Sequence, residues 1–411
     1  MNADIVSIGD ELLIGQVVNT NSSWIARQLN LIGIKVNKIV TIGDTRQEIL
    51  ETLKESSANS NIIFITGGLG PTSDDITKPV LCEYFNTSLR FDEEVFSMVD
   101  QFVSKRGGTM NELNRGQAMV PVSAKIIKNK IGTAPGLWFE KGGVIYISMP
   151  GVPFEMEAMM MESILPLIKD QFQLPFIFHK TILTTGIPES KLAITIEKWE
   201  KQLSEGIQLA YLPSPGMVRL RLSGFGNETI KSTISAEIDK LKMILGNAIY
   251  GYDSDTMEIV VGNLLKSCNK TLATAESCTG GNVARLITSV PGSSDYFRGS
   301  IVAYSNEIKT NQLKVPIDLI NNNGSVSKEV VEFMAINLLD ILNCDYSIAI
   351  SGIAGPTGGT IEKPVGMVWI AVASKDKNVV SEKFLFGDNR DRNITRASVA
   401  ALNLLRIYIQ E

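Results

Sequence analysis

The first part of the chain alternates between short apolar runs and amphipathic segments of helical period. Apolar runs predict strands over residues 3–11, 37–43 and 61–68. Apolar residues spaced three or four apart predict helices over 22–33 and 45–57. Strands and helices in alternation are typical of a mostly parallel sheet covered by helices.

The pattern changes near residue 175 and changes back near residue 253. Between them it predicts a strand, a helix, a hairpin and another helix, which suit a small α+β module over 175–250. From 253 a second βα rhythm runs to residue 411. The predicted fold class is therefore α/β: two βα-type domains with mostly parallel sheets, 1–168 and 253–411, joined by the small module.

Composition limits the partners of the protein. The chain has 411 residues with 39 basic and 44 acidic side chains, a net charge of −5. Such a balance provides no broad attraction to nucleic acid or to anionic lipid. The N-terminus lacks the basic and apolar regions of a signal peptide, and the apolar runs are shorter than a membrane span. We expect a cytoplasmic protein with neither nucleic acid nor membrane as partner.

Histidine and cysteine usage restricts the chemistry further. His179 is the single histidine, and the four cysteines contain no CxxC pair. Zinc sites with two histidines are thereby excluded, and a disulfide framework is disfavoured. His179 lies in a strand-like run with no nucleophile signature nearby. If the protein is an enzyme, we expect its base to be another residue type.

The last domain carries chemically rich loops after its predicted strands. A strand ends in Glu276–Gly281 before a helix, so Ser277 occupies the position of a strand-to-helix nucleophile. The diglycine, Gly280 and Gly281, permits close backbone approach, and helix N–H groups from Thr279 onward suit an oxyanion. We predict an acyl-transfer site here.

Two further loops supply a base and an anion site. A strand ends at Tyr304, and Asn306 is predicted to cap a helix that carries Lys309 on its first turn. A second strand leads into glycines suited to a phosphate or a flat ring. The predicted substrate contacts in this region are Asn306, Gly352, Gly355, Gly358, Arg392 and Arg396.

Without a histidine, a Ser–Lys pair is the chemistry that these residues support. Lys309 would have to be neutral, hence buried, to accept the proton of Ser277. Tyr304 would hydrogen-bond the same oxygen or the developing negative charge. Position alone leaves a solvated helix lysine as the alternative for Lys309, and Cys278 as a rival nucleophile.

These blocks together resemble the CinA C-terminal family. The resemblance rests on ATAESCTGG, YFRGSIVAYSNEIK, GSVS, ISGIAGPTGG and EKPVGMVW, in this order. It implies hydrolysis of nicotinamide mononucleotide to nicotinic acid mononucleotide and ammonia, without a cofactor. By motif position, Ser277 would be the nucleophile, Lys309 the general base and Tyr304 the assisting hydroxyl.

The first domain has one strong local signal, FITGGLGPTSDDIT. Its glycines and hydroxyls before a helix suit a phosphate, and its adjacent carboxylates suit a divalent cation such as magnesium. A glycine-rich turn with aspartates capping the helix is the alternative. The candidate residues are Gly67, Gly68, Gly70, Thr72, Asp74 and Asp75.

This stretch resembles the molybdopterin-binding family, and with GDELLIGQVVNTNSSWIA it resembles the CinA N-terminal domain. The resemblance implies a metal-dependent ADP-ribose pyrophosphatase. It adds Glu11 and Asp44 to the candidate metal ligands and Asn21 to the ligand contacts. Relatives carry Asp-Thr-Asn where this chain has Asn19, which removes one negative charge and counts against a metal role there.

The middle module occupies the place of a KH-like domain in this family, but it has no GxxG loop, so RNA clamping is not expected. The resemblance also favours a homodimer. Two functional hypotheses follow: an enzyme of pyridine-nucleotide salvage, and a non-catalytic nucleotide-binding or interaction protein linked to competence or DNA damage.

Overall fold

The computed structural model describes residues 1–72, 75–214, 216–375 and 379–411. The chain forms two compact units, Met1–Phe178 with Phe225–Glu228, and His179–Gly224 with Thr229–Glu411. No helix in the described ranges is both long and apolar enough to cross a lipid bilayer.

The first unit is built from the following elements. Its strands are β1 (Asn2–Ile8), β2 (Lys35–Ile42), β3 (Ile62–Thr66), β4 (Leu89–Phe91), β5 (Met119–Pro121), β6 (Lys125–Ile127), β7 (Gly136–Lys141) and β8 (Val144–Met149). Its helices are α1 (Asp10–Leu13), α2 (Thr20–Leu31), α3 (Arg46–Asn59), α4 (Thr77–Phe85), α5 (Glu93–Lys105), α6 (Glu112–Gly116), α7 (Pro153–Met159) and α8 (Leu165–Gln171). A π-helical turn, Met160–Ile164, joins the last two helices.

A sheet in the order β2-β1-β3-β8-β7-β6 forms the centre of this unit. The strands β2, β1, β3 and β8 pair in parallel, and β7 and β6 return antiparallel. Every residue of β3 is buried because helices cover both faces of the sheet. Ile25 and Met156 pack on one face, and Leu53 and Leu81 on the other. Met156 and Met159 of α7 are buried in this core.

The second unit contains the small module and the last domain. Its strands are β9 (Phe176–Thr185), β10 (Ile207–Ser214), β11 (Met217–Gly226), β12 (Ile249–Tyr252), β13 (Leu272–Glu276), β14 (Phe297–Val302), β15 (Tyr346–Gly352), β16 (Met367–Ser374) and β17 (Val380–Leu385). Its helices are α9 (Glu189–Glu200), α10 (Ile230–Leu245), α11 (Met257–Ser267), α12 (Asn282–Thr288), α13 (Asn306–Leu313), α14 (Ile317–Asn323), α15 (Lys328–Ile341) and α16 (Arg390–Gln410).

Two sheets organise this unit. The module has the order β10-β11-β9-β12, and the last domain has β14-β13-β15-β16-β17. In the second sheet β14, β13 and β15 are parallel, whereas β16 and β17 are antiparallel. Helices α11, α12 and α16 cover one face and α13 to α15 the other. The predicted α/β class is thus confirmed, with antiparallel strands at one edge of each large sheet.

The parallel strands determine where the chemistry lies. Strands β13, β14 and β15 end at Glu276, Val302 and Gly352, and the three loops that follow leave the same edge of the sheet. Ligands of open α/β sheets bind beyond the carboxyl ends of their strands.

Candidate functional site

A pocket of about 280 Å³ opens at this edge of the last domain. It is lined by residues of these three loops and their flanking elements, of the loop between α14 and α15, and of the start of α16. They are Ser277, Cys278, Tyr304, Asn306, Lys309, Ser325, Val326, Ser351, Gly352, Ile353, Ala354, Gly355, Thr357, Gly358 and Arg390. We call it the serine pocket.

Ser277 and Lys309 meet at the floor of the serine pocket. The Nζ atom of Lys309 lies 3.0 Å from Ser277 Oγ and 2.8 Å from the carbonyl oxygen of Ala303. A neutral amine can donate a hydrogen to the carbonyl and accept the hydroxyl proton of Ser277 at the same time. The two residues are 32 positions apart in sequence and converge because β13 and β14 are neighbours.

Burial favours the neutral form of the Lys309 amine. Its side chain is 2% exposed, and no carboxylate pairs with it in the described residues. Desolvation lowers the pKa of the amine from its ordinary value, since removal from water disfavours the charged form. The alternative of a solvated helix lysine is therefore wrong. Ser305 caps α13 by accepting from the Ile308 N–H, in place of the predicted Asn306.

Glu276 fixes the turn that carries Ser277, a role that the sequence did not reveal. Its carboxylate is fully buried and accepts hydrogen bonds from five donors of its own strand, the turn and the start of α12. The donors are Thr279 Oγ1 at 2.7 Å, Ala284 N at 2.8 Å, Val283 N at 3.0 Å, Gly281 N at 3.1 Å and Thr274 Oγ1 at 3.4 Å. An anion at a helix N-terminus stabilises that end of the helix.

This carboxylate changes the expected oxyanion site. The Gly281 N–H donates to Glu276, and the Gly280 N–H donates to the Ser277 carbonyl, so neither is available to a substrate. The N–H groups of Cys278 and Thr279 donate to no other residue in the described part of the chain. A donor directly after the nucleophile is the usual partner of an oxyanion in strand-to-helix turns.

Cys278 is unsuited to act as the nucleophile. Its side chain is 7% exposed, and burial raises the pKa of the thiol to about 12. The thiolate, which is the reactive form, is therefore scarce at neutral pH.

Tyr304 and Arg390 form one wall of the serine pocket. The Tyr304 side chain is 60% exposed, and its hydroxyl accepts a hydrogen bond of 2.9 Å from Arg390. The same guanidinium donates to the Gly355 carbonyl at 2.8 Å. Tyr304 thus contacts Arg390 in place of the oxygen of Ser277, and its contact with the developing charge stays a prediction.

The glycine loop after β15 lines the pocket as the sequence suggested. Gly352, Gly355 and Gly358 all border it, and so does Asn306. Gly355 has φ +88°, and a Cβ atom there would lie 2.5 Å from Val365 Cγ1. Only glycine fits this combination of backbone angle and close packing.

The predicted phosphate residues on α16 need correction. Neither Arg392 nor Arg396 borders the serine pocket, whereas Arg390 does. At about 100° per residue, positions two and six beyond Arg390 point to other sides of the helix. Arg392 is exposed to solvent, and Arg396 lines a different cavity.

The glycine-rich loop of the first unit is organised by Asp75. The carboxylate accepts hydrogen bonds from Gly70 N at 2.8 Å, Thr72 N at 2.9 Å and Thr72 Oγ1 at 2.6 Å. Gly67 and Gly68 have positive φ, and a Cβ on Gly67 would lie 2.1 Å from the Ile8 carbonyl. Asp75 therefore stabilises a tight turn, as the alternative to a metal role predicted. It does not cap α4, because its oxygens accept from the loop before it and α4 has no side-chain cap in the described residues.

The candidate metal ligands do not converge within the described ranges. Asp44 exchanges hydrogen bonds of 3.3 Å with Asp10, and Glu11 lies beside Gly9. No group of three His, Cys, Asp or Glu side chains suited to a metal ion occurs among the residues that the structure describes. Asp74, also predicted as a ligand, lies outside them. The metal site stays a prediction from the resemblance.

Asn21 and Asn19 have separate structural partners. Asn21 donates to the Gly151 carbonyl at 2.7 Å, and its buried Oδ1 has no hydrogen-bond partner in the described chain. Asn19 is the N-cap of α2 and accepts from the N–H and hydroxyl of Ser22. A capping asparagine needs no negative charge, which agrees with the expectation that Asn19 is not a metal ligand.

Comparison with known proteins covers all three predicted segments. The model for "CinA C-terminal domain" matches residues 254–409, that for "Probable molybdopterin binding domain" matches 4–170, and that for "Damage-inducible protein CinA KH domain" matches 179–251.

Two relatives match this chain over its whole length. A CinA-like protein of Cytophaga hutchinsonii is 46% identical over 100% of this chain and 98% of its own. A putative competence-damage inducible protein of Halothermothrix orenii is 39% identical over 100% and 99%. The crystal structure of competence/damage inducible protein CihA from Agrobacterium tumefaciens is 31% identical, covering 38% of this chain and 94% of that chain with a TM-score of 0.37. The chain belongs to the CinA family.

Proposed function

We propose that the serine pocket hydrolyses nicotinamide mononucleotide to nicotinic acid mononucleotide and ammonia. The observation that carries the proposal is the buried Lys309 amine 3.0 Å from the Ser277 hydroxyl. A serine whose proton is taken by a neutral lysine is an activated nucleophile for a carboxamide carbon. A pocket of about 280 Å³ holds a pyridine carboxamide with its ribose phosphate toward the open side.

The residues divide the reaction as follows. Lys309 takes the proton of Ser277 while Ser277 Oγ bonds to the amide carbon. The Cys278 and Thr279 N–H groups stabilise the oxyanion that forms. The lysine returns the proton to the leaving nitrogen, and ammonia departs. A water molecule then attacks the acyl carbon and gives a proton to Lys309. The bond from that carbon to Ser277 Oγ breaks, and Lys309 returns the proton to Ser277 Oγ, which releases the acid and restores the neutral amine. Arg390 is the cation beside the substrate phosphate.

The test is ammonia release from nicotinamide mononucleotide by the full chain. Ser277→Ala and Lys309→Ala should each lower kcat by on the order of 10³-fold or more. The matched control is Lys328→Ala, which removes an exposed lysine at the start of α15. Cys278→Ala should retain most of the activity.

Three outcomes would contradict the proposal. Full activity of Ser277→Ala would exclude the serine mechanism. Loss of ammonia release in Cys278→Ala, together with full activity in Ser277→Ala, would identify Cys278 as the nucleophile. A folded wild type that binds the nucleotide in calorimetry but releases no ammonia would favour the non-catalytic binding protein. Gel filtration tests the homodimer separately.

An ADP-ribose pyrophosphatase in the first unit stays a prediction from family resemblance. Its support is the glycine-rich loop at the end of β3, and the described carboxylates add none because Asp75 is engaged by the loop itself. Release of AMP from ADP-ribose, measured with added magnesium and again with chelator, tests it. Equal turnover in both conditions would reject a metal requirement.

A further inference from the structure

A second cavity lies inside the second unit, between the small module and the last domain. Its volume is about 610 Å³, within the range of small-molecule sites. One wall comes from the module, at the end of β9 and the β10–β11 hairpin, and the other comes from β17 and α16. None of its lining residues belongs to the serine pocket. We call it the module cavity.

The wall on the side of the last domain is largely aromatic and aliphatic. Phe384 and Phe386 lie on one face of β17 and its continuation, because side chains alternate along a strand. Their rings are parallel within 7°, with centroids 5.6 Å apart. Val399 and Leu404 of α16 and Met217 of the hairpin complete an apolar surface. Such a surface favours a flat, apolar ring.

One cation faces this surface. Arg396 lines the module cavity, and its Nε atom is buried without a hydrogen-bond partner in the described chain. The other guanidinium nitrogens of Arg396 form no ion pair or hydrogen bond with a described residue. A buried N–H donor left without an acceptor is costly, and a guanidinium binds carboxylate or phosphate through paired donors. The vacant donors therefore call for an anionic acceptor.

Two carboxylates limit the charge of that acceptor. Glu189 and Glu382 border the cavity, and both are exposed to solvent. With one cation inside and two anions at the rim, the site disfavours a ligand of high negative charge. A single anionic group next to Arg396 is the complementary arrangement.

We propose that the module cavity is a second small-molecule site, which binds a planar aromatic ligand carrying one anionic group. The ring lies against Phe384 and Phe386, and the anionic group accepts hydrogen bonds from Arg396. The site is independent of the amide hydrolysis proposed above, since Arg396 and Arg390 lie on different sides of α16.

The probe is 8-anilinonaphthalene-1-sulfonate, an aromatic monoanion whose fluorescence rises on binding, titrated into the full chain. Arg396→Gln should weaken its binding by about tenfold through loss of the charge-assisted hydrogen bonds. Ala400→Trp, which fills the cavity from α16, should abolish saturable binding. Lys383→Gln is the matched control, because it removes a cation from the opposite face of β17 and should leave binding unchanged.

Competition identifies the chemistry of the natural ligand. Two competitors combine a ring with an anionic group: nicotinate carries a carboxylate, and adenosine 5′-monophosphate carries a phosphate. Each should displace the probe more strongly than adenosine or inorganic phosphate alone. Thermal unfolding and circular dichroism establish that each variant is folded. Any of three results would overturn the proposal. They are no binding of the probe by the wild type, saturable binding that persists in Ala400→Trp, and an affinity of Arg396→Gln equal to that of the wild type.

Discussion

Replacing Glu276 by glutamine should loosen the turn that carries Ser277. The carboxylate accepts from five donors, three of which are backbone N–H groups at residues 281, 283 and 284. Glutamine keeps the shape but turns one acceptor oxygen into a donor. With the NH₂ group on the side of Oε1, the Ala284 N–H faces a donor instead of an acceptor. The loss of one charge-assisted bond and the weakening of the others cost about 3 kcal/mol.

Native-state hydrogen exchange measures this effect where it arises. Exchange of the Gly281, Val283 and Ala284 amides should accelerate on the order of 100-fold, the equivalent of about 3 kcal/mol in local opening. Glu307→Gln is the control, because Glu307 is an exposed carboxylate in the first turn of α13. If the three amides of a folded Glu276→Gln protein exchange within threefold of wild type, the carboxylate does not hold the turn.

Three further predictions concern the proposed amidase. The rate of ammonia release should rise with pH through the pKa of Lys309, because the base must be neutral. Burial places that rise below the ordinary lysine value of 10.5. A pH profile of kcat/KM with no rise until about 10.5 would contradict the role of Lys309 as the base. Arg390→Ala should raise KM about tenfold or more, since it removes the one arginine on the pocket wall, and unchanged kinetics would exclude its substrate role. His179→Ala should leave ammonia release intact, as its Nδ1 lies 2.8 Å from Ser223 Oγ in the module and His179 does not line the serine pocket; loss of activity in a folded variant would refute this.

The pattern of apolar positions predicted much of the fold because burial has a period. The fully buried β3 and the amphipathic α3 occur close to the predicted positions. The antiparallel β16 and β17 did not emerge from the pattern, since strand direction depends on which neighbour a strand finds in the sheet. Likewise, Ser305 rather than Asn306 caps α13, because one residue of backbone geometry decides which side chain reaches the N–H groups.

The candidate site was predicted in part. Ser277 and Lys309 were singled out by their loops, and the structure brings them within 3.0 Å. Glu276 was passed over because a carboxylate beside a nucleophile looks like any acidic loop residue until its buried partners are known. The helical period places Arg390 and Arg392 on different sides of α16. Which of the two faces the pocket depends on how the helix packs, and this is known only from the structure.

The sequence by itself determined the kinds of chemistry available. With one histidine and no clustered cysteines, it left serine, lysine and carboxylates as the reactive groups. Tertiary structure decided the surroundings of each of them, and the reactivity of a lysine depends on water access and on neighbours distant in sequence. Burial against Ala303 and Ser277 lowers the pKa of Lys309. Asp75 is engaged by its own loop, and Arg396 faces a cavity that shares no lining residue with the serine pocket. Burial and long-range proximity are properties of the packed chain.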